Sequence, residues 1–115
     1  MGRRKLTSPF TGTPLTRHDA EQLAGVLKVL ADPSRLQILS FMASTPGEVF
    51  GAELCVGLAI SQPTISHHLT ILGAAGLVES RKAGTAVYHR IAVDAIAELA
   101  ALLTPPPAPI PDAER

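Results

Sequence analysis

A chain of 115 residues holds one domain, and a 46% apolar content in so short a chain implies surface that a partner must cover. The single cysteine, Cys55, excludes an intrachain disulfide and a multi-thiolate metal cage. No apolar run approaches the ~20 residues of a membrane span, so no membrane contact and a cytoplasmic protein are expected. Ten basic and ten acidic residues cancel, but they are segregated: Arg3, Arg4, Lys5 and Arg17 make the start basic, Arg81, Lys82 and Arg90 outweigh Glu79 between 61 and 92, and acids prevail elsewhere. A neutral chain can thus still carry a positive face.

Residues 1–16, rich in Pro, Thr and Gly, read as a flexible basic arm. Thr16 followed by Arg17-His18-Asp19 is a helix start, and Leu23, Val26, Leu27 and Leu30 recur on one face, so a first helix is expected over 17–31. Asp32-Pro33 combines an N-cap with proline at the first helical position. The helix it opens, 33–44, is apolar almost all round and should be central; Pro46-Gly47 ends it. A short third helix covers 52–58, and Ala59-Ile60 makes a tight connection. A fourth helix, 62–75, starts at Ser61 and is terminated by Gly76 in a left-handed conformation.

Leu77–Lys82 and Ala86–Ile91 then read as two strands around a Gly84 hairpin. Val93-Asp94 opens a last helix with Ile96, Leu99, Ala100 and Leu103 on one stripe, and the prolines from 105 to 107 end it, leaving 104–115 as a Pro-rich tail. The expected fold is mainly α with a two-stranded β-wing, packed as one domain over 17–103: two helices, a helix-turn-helix, two strands and a helix.

The fourth helix is the most informative element. Ile65, Leu69 and Leu72 fall together and must face a core, while Pro63, Ser66, His67 and Thr70 fall opposite. That outer face has no long charged side chain; small hydroxyls and an imidazole can approach base edges closely. Gln62 and Thr64 sit at the helix N-terminus, where the dipole favours a phosphate. A short helix, a tight turn and such a second helix form a helix-turn-helix, and the hairpin behind it places Arg81, Lys82 and Thr85 near its tip for contact with the phosphate backbone or an adjacent minor groove. No HExxH, GxSxG or phosphate-loop pattern points to an enzyme.

Residues 27–42 (LKVLADPSRLQILSFM), 53–58 (ELCVGL), 61–78 (SQPTISHHLTILGAAGLV) and 81–91 (RKAGTAVYHRI) together resemble the ArsR/SmtB family of winged helix-turn-helix repressors. The resemblance implies a regulator, more often a repressor than not, with base or phosphate contacts by Gln62, Ser66 and His67. It also implies a homodimer on an inverted-repeat operator, formed through the first and last helices, here with Leu23, Val26, Leu27, Leu30, Ile96, Leu99 and Leu103.

The family resemblance also implies metal-controlled release, and here the chain departs from the pattern. The ELCVC thiolate motif reads ELCVG, with Gly57 in the second cysteine's place, and the last helix offers Asp94 and Glu98 but no histidine. Cys55 reads more simply as a small core residue, and His68 and His89 as packed histidines. His18, Asp19 and Glu21 are the remaining metal candidates, although acids at a helix start also answer the dipole. With nitrogen and oxygen ligands, a weakly held nickel or zinc is the metal class left open; no cofactor is otherwise required. The alternatives are a DNA-binding subunit whose signal comes from a partner protein or a non-metal effector, and an interaction module without DNA binding.

Overall fold

The computed structural model of the protein describes residues 5–107. In chain order the elements are α1 (Arg17–Leu30), α2 (Pro33–Ala43), β1 (Val49–Phe50), α3 (Gly51–Leu58), α4 (Gln62–Ala74), β2 (Val78–Ala83), β3 (Ala86–Ile91) and α5 (Val93–Leu102). The helix starts are those encoded locally. Thr16 Oγ1 accepts the Asp19 N–H at 3.1 Å, and Asp32 Oδ2 accepts the Arg35 N–H at 3.0 Å with Pro33 in the first position. That backbone bond holds the Asp32 carboxyl below its ordinary range. Glu53 Oε1 accepts the Phe50 N–H (2.7 Å) to start α3. Ala59 takes a left-handed conformation (φ 56°) in the α3–α4 turn, and Gly76 (φ 77°) turns the chain from α4 into β2.

The sheet is antiparallel in the order β1-β3-β2, with Val49 opposite His89 and Ser80 opposite His89 on the other side. β2 and β3 are the two-stranded wing expected from sequence, and β1 adds a third strand. A two-residue strand carries no periodicity, and only its pairing with β3 defines it. The core gathers Ile38 from α2, Val49 from β1, Leu54 from α3, Ile65 and Leu72 from α4, and Leu77, with Leu23 and Val26 from α1 and Leu99 from α5.

Leu23, Val26 and Leu99, expected at the dimer interface, are only 5–7% exposed and belong to the protomer's own core. A domain this small needs both terminal helices to close it. Leu27, Leu30 and Ile96 are half-buried against that core, and Leu103 is 39% exposed. Within the arm, Lys5 and residues 10–14 are exposed, and Leu6 and Ser8 meet the domain. Leu6 packs against the core and Ser8 Oγ donates to the Leu102 carbonyl at 2.8 Å. Arg3, Arg4 and the tail beyond Pro107 lie outside the described residues.

Candidate nucleic-acid interface

The core-facing stripe of α4 is as the periodicity requires: Ile65, Leu69 and Leu72 are buried, and Gln62, Pro63, Thr64, Ser66, His67 and Thr70 are exposed. The exposed groups are ordered among themselves. Gln62 Nε2 donates to Ser66 Oγ (3.2 Å), Thr70 Oγ1 to the Ser66 carbonyl (2.9 Å), and Ser61 Oγ to Thr64 Oγ1 (3.0 Å). From α3, Cys55 Sγ donates to Gln62 Oε1 (3.3 Å). The half-buried His68 accepts from Arg35 Nη1 (3.4 Å), whose Nε also holds the Val29 carbonyl (2.7 Å), so α2 ties α1 to α4. His67 stays exposed beside it, with ring centroids 5.8 Å apart.

The strands stand across from α4. A cleft of about 630 Å³ is lined by Gln62, Ser66 and Thr70 on the helix side and by Ser80, Val87 and His89 on the sheet side. Register decides which wing residues share that side. Val78 opposes Ile91, Ser80 opposes His89 and Lys82 opposes Val87, so by strand alternation Lys82 lies on the α4 face. Glu79, Arg81, Tyr88 and Arg90 lie on the other.

The two basic wing residues predicted to act together are thus separated. Arg81 is engaged with Glu48, through Nη2–Oε1 at 2.8 Å and Nε–Oε2 at 2.9 Å, and its guanidinium stacks 4.6 Å from the Tyr88 ring centroid. The Arg81 hydrogen bond holds the Glu48 carboxyl below its ordinary range, and Glu48 raises Arg81. Arg90 pairs with Glu79 at 3.0 Å. Lys82 is exposed and forms no ion pair among the described residues, and Thr85 lies at the hairpin tip beside Gly84 (φ 65°). Sequence reasoning passed over Ser80 and read His89 only as a packed histidine; the two hydrogen-bond at 2.6 Å inside the cleft. The two-residue spacing of Ser80 and Lys82 could have flagged their shared face. Burial pushes the His89 imidazole below its ordinary value, favouring the neutral ring.

The residues do not fit a thiolate metal site. A Cβ built on Gly57 would stand 2.3 Å from Phe41 Cε2, so the Phe41 ring occupies the space a second thiolate would need. The Cys55 thiol is turned to Gln62. His18 and Glu21 are exposed, Glu21 is paired with Arg17 (3.0 Å), and among the described residues no three His, Cys, Asp or Glu side chains gather as a metal-binding group.

A helix-turn-helix flanked by a β-wing, with a polar and uncharged outer face on its second helix, defines a winged helix-turn-helix DNA-binding protein. Comparison with known proteins narrows the class. The family model of bacterial regulatory proteins of the arsR family matches residues 32–80. The chain is 40% identical over 83 residues to the HTH-type transcriptional regulator MJ1325 of Methanocaldococcus jannaschii, covering 72% of this chain and 92% of that one. It is 37% identical over 86 residues to the biofilm growth-associated repressor of Agrobacterium fabrum, covering 75% and 72%. Among solved structures, the homodimeric winged helix-turn-helix DNA-binding domain Mb0332 of Mycobacterium bovis is similar at 36% identity and a TM-score of 0.62, covering 78% of this chain and 84% of that one. The protein belongs to the ArsR family and is a DNA-binding transcriptional regulator, not an enzyme.

Proposed function

We propose that the protein is a repressor that binds an inverted-repeat operator as a homodimer, with α4 in the major groove and Lys82 and Thr85 of the wing on the flanking backbone. The observation that carries this reading is the outer face of α4. Gln62, Pro63, Thr64, Ser66, His67 and Thr70 are exposed and without a long charged side chain, which suits close approach to base edges. The homodimeric neighbour supports a dimer; its placement on α1 and the end of α5 rests on Leu27, Leu30, Ile96 and Leu103, which keep apolar surface to offer. Two linked recognition helices would then meet half-sites about 34–36 Å apart.

Affinity selection from random duplexes at stated salt tests the proposal. Recovery of a two-fold symmetric sequence is expected, and His67→Ala or Ser66→Ala should reduce its preference over random DNA by about 1–3 kcal/mol. A stable monomer in light scattering at micromolar concentration would contradict the dimer.

The Phe41 ring against Gly57 favours a second element of this reading: the signal that controls binding does not pass through a thiolate pair, and a partner protein or non-metal effector supplies it. A control element must bind one conformation more tightly by about 1–3 kcal/mol, which needs a defined multidentate site. Calorimetry with nickel and zinc tests this. A tight site lost in Cys55→Ser would restore a thiolate sensor, and one lost in His18→Ala would place control at His18, Asp19 and Glu21.

A further inference from the structure

A glutamine amide can serve DNA recognition in more than one way. Turned freely, it reads adenine by giving Nε2–H to N7 while Oε1 accepts from the N6 amino group, which requires both amide atoms to point at the base together. Gln62 is not turned freely. Its Oε1 accepts from the Cys55 thiol of α3 (3.3 Å), and one Nε2 hydrogen goes to Ser66 Oγ one turn along α4 (3.2 Å). The amide also lies against the bare backbone of Gly51: a Cβ there would stand 3.3 Å from Nε2. Three neighbours on two helices therefore orient it.

Hydrogen-bond accounting fixes what remains. An amide nitrogen has two hydrogens, so Gln62 keeps one N–H for a partner; Oε1 keeps one of its two lone pairs, but the Cys55 contact turns that oxygen toward α3. The Ser66 hydroxyl, occupied as an acceptor by Gln62, keeps its own hydrogen to donate. Thr70 spends its hydroxyl hydrogen on the Ser66 carbonyl (2.9 Å) and keeps a methyl group and acceptor lone pairs. The helix thus offers donors near its N-terminus and an acceptor one turn later, and the helix dipole reinforces this polarity.

We propose that Gln62 and Ser66 form a fixed pair of donors that reads acceptor atoms on the DNA, guanine O6 and N7 or a phosphate oxygen, rather than the donor–acceptor edge of adenine, with Cys55 as the positioning residue that holds the amide in this sense. The proposal rests on the DNA-binding reading above and assigns the polarity of one contact within it.

The experiment uses the full chain and a duplex recovered by affinity selection, with affinity read by fluorescence anisotropy. In that duplex each guanine is replaced in turn by 7-deazaguanine or by 2-aminopurine, which lacks O6, each half-site phosphate by methylphosphonate, and each adenine by purine, which lacks the N6 amino group. One guanine or phosphate substitution should weaken wild-type binding about 5-fold, the worth of one hydrogen bond, and leave Gln62→Leu unaffected. A guanine position identifies the base edge as the acceptor, and a methylphosphonate position identifies the backbone. Cys55→Ala should weaken that coupling and Cys55→Ser, which keeps a donor, should restore it, with melting curves confirming that both variants fold. The proposal is overturned if loss of an adenine N6 amino group is what couples to Gln62, if no substitution couples to it, or if Cys55→Ala leaves the coupling intact. A chain that binds no duplex at all refutes the DNA-binding reading itself.

Discussion

The two faces of the small sheet use similar side chains to opposite effect. On the outer face Arg81 and Arg90 are matched by Glu48 and Glu79, and Tyr88 stacks under Arg81, so two cations contribute little net field. On the face toward α4, Ser80 and His89 satisfy each other without charge, and Lys82 is the cation beside the recognition helix. Four basic groups on one hairpin thus reduce to one exposed cation on the α4 face. Charge counted along a sequence is not charge available to a partner, because an acid brought close by folding can spend it.

The largest expected effect tests the inward–outward contrast at the end of α5, where Leu99 faces the core and Leu103, the C-cap, is 39% exposed. Leu99→Glu should abolish folding, since an unpaired charge would be buried at a cost of several kcal/mol, whereas Leu103→Glu should melt close to wild type and weaken only the dimer. Circular dichroism and light scattering separate the two. An intermediate effect tests the Phe41–Gly57 contact. Gly57→Cys should cost about 1–3 kcal/mol by overpacking, and Phe41→Leu in the same chain should recover part of it.

The sheet comparison itself breaks or stands on single alanines. Lys82→Ala should weaken binding to all DNA alike and lower the salt slope by about 0.9 per subunit, while Arg81→Ala should leave the slope unchanged and only slightly lower the melting temperature. Equal slopes for the two variants would mean that the Arg81–Glu48 pair opens on DNA.

The smallest effects lie in pH. Glu48 titrates below its ordinary 4.5, so its contribution to stability is present above that value and lost as pH falls through the folded one; Glu48→Gln should remove this acid-side change. His89 titrates below its ordinary 6.5, so stability is full above 6.5 and declines as pH falls toward the folded value, levelling off beneath it. His89→Gln should flatten that second window in denaturant titrations at stepped pH.

What the sequence by itself determined is what neighbours along the chain determine. Thr16, Asp32-Pro33 and Gly76 mark helix ends because caps and turn conformations act over three or four residues. The inside and outside of α4 follow from a 3.6-residue period, and Gly84 marks the hairpin. The tertiary structure alone decided which groups meet across the fold. Glu48 reaches Arg81 from 33 residues away, β1 exists only through β3, Phe41 fills the space at Gly57, and Cys55 orients Gln62 from another helix. It also turned Leu23, Val26 and Leu99 into core, because one apolar stripe can face a protomer's interior or a partner and periodicity is identical in both cases. Only the packing of the terminal helices into the common core leaves a single answer.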